Sequence, residues 1–236
     1  MYLTRFRFNT ARTGARRLLM SPQKLHAAVM SSFPEPPPAP DGGPRVLWRV
    51  DHNSAAEVLL YITGPARPDL VHLVEQAGWP AAAPDGWMTY DYEKFLGGLA
   101  TGDSWAFRLT ANPVHSVRNK DGVPTKRTAH RTPAHQARWL VEQGEKRGFA
   151  IVERPVGRRV LERGDEHELI VGGIKGLAFA KSADTPRAGQ PVRIATVTYQ
   201  GRLRVTDAEV FRRTLVSGVG KAKAYGCGLM TLAPVV

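Results

Sequence analysis

The chain has 236 residues, 42% of them hydrophobic, with a net charge of +12 and an isoelectric point near 10.3. That apolar content excludes a disordered chain, and apolar runs of only a few residues exclude a membrane span. A single cysteine, Cys227, excludes an internal disulfide and fits a reducing cytoplasm.

The charge is uneven. Residues 1–104 hold 10 Lys+Arg against 10 Asp+Glu, which leaves residues 105–236 with 23 against 11 of the 33 and 21 in the whole chain. A basic half favours a nucleic-acid face there.

Tyr2-Leu3-Thr4-Arg5-Phe6-Arg7-Phe8 alternates as a half-buried strand does and has no signal-peptide core. Asn9–Met20 reads as an arginine-rich connection with Arg12, Arg16 and Arg17. Ser21 then suits an N-cap and Pro22 the first turn of a helix, with Leu25, Ala28, Val29 and Phe33 as its buried stripe. The proline-rich stretch Pro34–Pro44 ends that helix as an exposed loop. Arg45–Val50 and Glu57–Thr63 read as strands, Asp69–Ala77 as a short helix and 80–86 as loop, while 87–99 fits helix or strand. Strand, helix, two strands, helix and a closing strand is the ferredoxin-like order.

The second half repeats it. Trp105–Pro113 alternates like the first strand, and a basic loop follows with Arg118, Lys120, Lys126, Arg127 and Arg131. A helix is expected over Pro133–Arg147, stopped by Gly148, then a strand over Phe149–Glu153. Val160–Leu169 reads as a hairpin turning at Gly164-Asp165. Val192–Thr198 and Arg202–Val205 read as strands, and Asp207 caps a helix through Leu215. Together the elements predict an α+β fold of tandem ferredoxin-like (βαββαβ) domains, 1–97 and 104–236, with a glycine-rich loop before the last strand.

That loop is Ser217-Gly218-Val219-Gly220-Lys221-Ala222-Lys223-Ala224-Tyr225-Gly226-Cys227-Gly228-Leu229. Free backbone N–H groups between glycines make a concave anion site, and Lys221 and Lys223 add charge beside it. The plainer reading is a turn that lets helix and strand pack closely. The spacing is neither a P-loop nor a dinucleotide fingerprint. The seven histidines show no metal-ligand spacing, and Glu166-His167-Glu168 and Asp51-His52 read as solvated surface pairs. No serine elbow appears, and Cys227 reads as a small packed residue. His26 lies one residue past Leu25 of the buried stripe, at the rim of the packed face, where an imidazole titrates near neutrality. The plainer reading of His26 is a surface histidine.

Four stretches, Met1-Tyr2-Leu3-Thr4, Pro22-Gln23-Lys24-Leu25-His26, Phe107–Pro113 and Gly218–Leu229, make the chain resemble the CRISPR-associated pre-crRNA endoribonuclease CasE of type I-E Cascade over its full length. The resemblance implies tandem ferredoxin-like domains and metal-independent cleavage of repeat RNA at the 3′ base of a stem-loop, through 2′-hydroxyl attack to a 2′,3′-cyclic phosphate. It also implies that the crRNA is kept as the protein joins other Cascade subunits, in the cytoplasm, with no membrane and no small-molecule cofactor. His26 carries over as the catalytic residue. Gln23 stands where the family often has tyrosine; it cannot act as an acid but can hydrogen-bond a phosphate. Basic residues expected after the histidine are replaced by Ala27, Ala28 and Ser31, which leaves Lys24 and Arg17 as substitutes. Arg154, Arg158, Arg159 and Arg163 match the region of a stem-gripping basic hairpin, and Gly218, Gly220, Lys221, Lys223, Gly226 and Gly228 are further RNA contacts. A non-catalytic RNA-binding subunit of the same fold is the alternative.

Overall fold

Strand β1 (Tyr2–Phe8) turns Thr4, Phe6 and Phe8 inward and Arg5 and Arg7 to solvent, as its alternation dictates. The computed structural model describes residues 1–35, 44–79, 86–117, 126–161, 164–180 and 191–235. β1 lies inside an antiparallel sheet of order β2-β3-β1-β4, with β2 (Leu47–His52), β3 (Val58–Gly64) and β4 (Trp87–Asp91). Helices α2 (Pro22–Met30) and α3 (Val71–Ala77) pack Leu25, Val29 and Leu73 onto Phe6, Phe8, Leu60 and Ile62. Each such buried side chain stabilises the fold by roughly 1.5–3 kcal/mol.

The arginine-rich connection is in fact partly helical: α1 spans Thr13–Leu19. Gly14 permits it, because a Cβ there would lie 2.1 Å from the carbonyl oxygen of Gln76 on α3. Arg12 fastens it, donating to the carbonyls of Val74 and Gly78 at 3.1 Å and to that of Glu75, so α3's last carbonyls are satisfied by a side chain. Residues 87–99 divide into β4 and helix α4 (Tyr92–Gly97), capped by the Asp91 side chain accepting from the Glu93 N–H.

The second half has the same strand order. Strands β5 (Ser104–Ala111), β8 (Phe149–Ile151), β10 (Pro191–Val205) and β11 (Met230–Pro234) form the sheet β11-β5-β10-β8, beneath helices α5 (Pro133–Glu145) and α6 (Ala208–Ser217). β5–α5–β8 and β10–α6–β11 thus repeat β1–α2–β2 and β3–α3–β4, which makes the fold tandem ferredoxin-like. Tyr92, Leu96 and Leu99 bury into this second core, beside Trp139, Phe149 and Phe211. Among the described residues no helix is long and apolar enough to cross a membrane.

Three features of the second half differ from the sequence reading. The basic loop after β5 closes on a short hairpin, β6 (Val114–Val117) with β7 (Lys126–Ala129); Arg118 and Lys120 lie outside the described residues. The two strands read at 192–205 are one, because Gly201 keeps its ladder bonds and lacks only a side chain; a Cβ there would sit 2.1 Å from the Glu168 carbonyl oxygen. Finally, the described part of 160–169 forms no β-hairpin, Glu162 and Arg163 lying outside the described residues. The Asp165 and Glu166 carboxylates accept from the N–H groups of Val160 (2.7 Å) and Gly164 (3.0 Å), local bonds that compete with a ladder. The segment is a loop with a 3₁₀ turn at Val156–Arg158, joined by the bridge Glu153↔His167, and the long partner of β10 is β9 (Leu169–Ala180).

Candidate nucleic-acid interface and catalytic histidine

Helix α2 forms as its sequence requires. The Ser21 hydroxyl accepts from the Lys24 N–H at 3.3 Å, Pro22 occupies the first turn, and Leu25 and Val29 are buried. His26 follows Leu25 at the rim of that face and is half-buried. Burial pushes its pKa below the ordinary 6.5, so the ring is chiefly neutral at pH 7. Its Nδ1 is shielded from water and has no hydrogen-bond partner among the described residues. A buried, unsatisfied ring nitrogen carries a free-energy cost. Gln23 is half-buried and Lys24 exposed on the same helix, and Arg17 is exposed on α1.

Helix α2 packs against the Lys223–Tyr225 turn of the glycine loop, so the histidine helix and the lysine loop are neighbours. The loop winds through positive φ at Gly218 (78°), Gly220 (78°), Ala222 (60°), Gly226 (79°) and Gly228 (95°). Two of its glycines serve packing between the halves: a Cβ on Gly226 would lie 2.7 Å from the Trp48 ring, and one on Gly218 would lie 2.9 Å from Leu47. Several of its N–H groups are engaged inside the protein. Gly218 donates to Thr214, Val219 to Gly228, and Gly228 to the Thr110 carbonyl at 2.8 Å. The expected concave site of free N–H groups is therefore absent at those positions, because the turn needs the same donors to hold its own shape.

What the loop offers an anion is charge. Lys221 is exposed and Lys223 half-buried. Burial, then the neighbouring Arg45, Arg147 and Lys221, lower the Lys223 ammonium to about 8. Arg45 and Arg147 were missed in the sequence, since the fold brings them from β2's approach and the end of α5. Cys227 is buried and its thiol is pushed up to about 12, as a packed side chain should be.

The seam holds a second correction. Asp51 is buried, with both carboxylate oxygens bonded by Arg49 at 2.7 and 2.8 Å. Arg49 reaches across to the carbonyls of Arg108 (2.7 Å) and Leu229 (3.0 Å) and to the Thr231 hydroxyl (2.7 Å). Of the pair read as solvated, only His52 is exposed.

Arg154, Arg158 and Arg159 lie together in the 153–168 loop, and Arg163 lies outside the described residues. Arg154 forms an ion pair with Asp165, and Arg159 donates to the Arg154 carbonyl at 3.0 Å. Arg154, Arg158 and Arg202 also line a shallow groove of about 410 Å³ with Leu169 and Ile170. Basic side chains thus stand at the glycine loop beside α2 and in this groove.

The family model of CRISPR associated protein matches residues 1–234. The CRISPR-associated endoribonuclease Cse3 of Thermus thermophilus is 29% identical over 234 residues, 99% of this chain and 100% of that protein. The CRISPR system Cascade subunit CasE of Escherichia coli is 40% identical over 193 residues, 80% of this chain and 89% of that protein. The structure of Thermus thermophilus Cse3 bound to an RNA representing a pre-cleavage complex is similar at a TM-score of 0.73 and 27% identity, over 99% of this chain and 98% of that one. Cas6e of Escherichia coli shares the fold at a TM-score of 0.56 and 20% identity, over the full length of both chains.

Proposed function

The chain belongs to the CRISPR-associated protein family matched over residues 1–234, and from that premise we propose that it is a metal-independent endoribonuclease that cuts CRISPR repeat stem-loop RNA and keeps the product. The named activity of the Cse3 relative supports an endoribonuclease, and the Cascade membership of the CasE relative supports retention within that assembly. In this reading residues 1–97 carry the catalytic histidine and residues 104–236 grip the RNA, in the cytoplasm and within a Cascade assembly.

The 2′-oxygen attacks phosphorus while its proton leaves to a base. The bond from phosphorus to the 5′-oxygen breaks, and that oxygen takes up a proton. The products are a 2′,3′-cyclic phosphate and a 5′-hydroxyl. His26 is the proton-transfer group, Gln23 hydrogen-bonds a phosphate oxygen, and Lys24 and Arg17 steady the RNA from the α1–α2 side. Lys221 and Lys223, with Gly218, Gly220, Gly226 and Gly228 shaping their loop, offset the charge gathering on the phosphorane. Arg154, Arg158, Arg159 and Arg163 hold the stem through its phosphates.

The observation that carries the reading is the half-buried His26, with an unpartnered Nδ1, on a helix packed against a lysine-bearing loop. The test is incubation of repeat RNA with the protein in EDTA. Cleavage is expected in the wild type, with a loss of about 10²–10⁴-fold in His26→Ala and unchanged RNA affinity. A 2′-deoxy substitution at the cut position should stop the reaction. Tight binding of uncut RNA by the wild type would overturn the nuclease and leave a non-catalytic RNA-binding subunit.

A further inference from the structure

Between the two halves lies a cleft of about 400 Å³ that the cleavage chemistry leaves unused. Pro22 and Leu25 of α2 and Tyr225 and Gly226 of the glycine loop line it, so it adjoins the histidine helix. Trp48, Val50 and Leu177 give it an apolar wall, while Arg108, Lys175, Thr198 and Gln200 give it a polar one. Its volume is at the small end of ligand pockets, about 300–1,000 Å³.

The charge in this cleft selects the ligand. Asp51 is its carboxylate, and Arg49 already holds both oxygens. Arg108 stands 3.5 Å from the same group. Lys175 on β9 faces His52 on β2 across the seam: burial first, and the Lys175 charge second, lower the His52 pKa. Arg49, Arg108 and Lys175 against Asp51 leave an excess of positive charge beside an apolar wall. Thr110 and Thr198 share a hydroxyl–hydroxyl bond of 3.0 Å and can donate to or accept from a base edge. A flat apolar group carrying a phosphate meets all of these demands.

We propose that this cleft is a subsite for one unpaired nucleotide of the RNA strand next to the scissile linkage, its base on the Val50–Leu177 wall and its phosphate on Arg108 and Lys175. The assignment rests on the reading of the chain as an RNA-cleaving protein with His26 beside the cut. It explains an open, positively charged seam between the halves as the part of the enzyme that reads single-stranded RNA, which proteins take by splaying bases out of the stack.

Gly172 offers a clean test. It lines the cleft, has no positive φ, and a Cβ added there meets nothing within 4 Å. Gly172→Phe should therefore fill the cleft without disturbing the β9 ladder. Two RNAs are compared by fluorescence anisotropy, each with a 2′-deoxy block at the cut: a repeat stem-loop with unpaired nucleotides on both sides of the stem base, and the same stem-loop trimmed to the stem. One base's stacking is worth about 5- to 150-fold in affinity. Gly172→Phe is expected to lose that factor on the flanked RNA only. Lys175→Ala, which cannot overfill the seam, removes a phosphate contact and is expected to weaken the same RNA only, lowering its slope of log affinity against log salt by about 0.7. Thermal melting confirms that each variant is folded, and unchanged affinity for the trimmed stem confirms that the stem grip is intact. Equal affinity of folded Gly172→Phe and wild type for the flanked RNA overturns the subsite, even with His26-dependent cleavage intact. Failure of the nuclease reading would show differently, as wild-type protein leaving unblocked RNA uncut. A variant that binds both RNAs normally but no longer joins its partner subunits would give the cleft to a protein segment and also overturn the proposal.

Discussion

The guanidinium of Arg49 on β2 donates to the carbonyl of Leu229, 180 residues further along the chain, at 3.0 Å. All five of its N–H donors are used: two on Asp51, one each on the carbonyls of Arg108 and Leu229, and one on Thr231. The side chain is 1% exposed. A buried cation so fully bonded rivets the first sheet to β5 and to the start of β11. It also fixes the glycine loop that precedes β11.

Arg49→Ala should destabilise the protein by about 3–5 kcal/mol, because it strands the Asp51 carboxylate and two carbonyls in a buried place. Arg49→Lys should recover only part of that loss, since an ammonium has three donors without the planar fork. Urea titration with tryptophan fluorescence reads both. A cost below about 1 kcal/mol for the alanine variant would mean that the seam is held by something else.

Gly226→Ala tests whether the loop's glycines serve packing. The position has φ 79°, and a Cβ would press within 2.7 Å of the Trp48 ring. Strain and displacement together should cost more than about 1 kcal/mol. Gly172→Ala, with open space around it, is the matched control and should change stability by less than about 0.5 kcal/mol. Equal melting temperatures for the two variants would refute the packing role.

These contrasts mark how far the sequence could be read. The alternation of Thr4, Phe6 and Phe8, the Ser21-Pro22 start and the Asp207 cap are local signals, and local signals gave both ferredoxin-like repeats. Strand β9 is apolar but carries Gly172, Gly173 and Gly176, which interrupt the run and hide the alternation that marks a strand. Helix α1 is stabilised by Arg12 on the end of α3 and by the fit of Gly14 against Gln76, neither of which is a local property. The same holds at the candidate site. His26 and the two loop lysines stand out as residue types. The burial of Asp51, and the gathering of Arg45 and Arg147 around Lys223, arise only when distant segments meet.

The arginines of the 153–168 loop should not contribute alike to RNA binding. Arg154 is engaged by Asp165 and Arg159 by a backbone carbonyl, whereas Arg158 is exposed and has no ion pair with a described carboxylate. Arg158→Ala should therefore lower the slope of log affinity against log salt by about 0.7–0.9, the value of one phosphate contact. Arg154→Ala should lower it less and instead loosen the loop, seen as faster hydrogen exchange at residues 154–168. Equal slopes for the two variants would contradict the division.

Lys223 should make stability and RNA affinity move in opposite directions with pH. Its folded pKa of about 8 lies below the ordinary 10.5. Between those values the unfolded chain binds more proton than the folded one, so stability rises with pH across that window. Below about 8 the folded protein bears the whole cost of a charged, half-buried ammonium. RNA, by contrast, needs that charge beside its phosphates. Affinity should weaken as pH rises through 8, by at most about tenfold per unit because one proton is involved. Lys223→Arg keeps its charge throughout and should flatten the affinity curve; Lys223→Met should flatten the stability curve and bind RNA weakly at every pH. Anisotropy and thermal midpoints at pH 7, 8 and 9 separate the two effects. Parallel pH curves for Lys223→Arg and the wild type would show that another group governs the affinity, and Lys223 would then be a packed bystander of the turn.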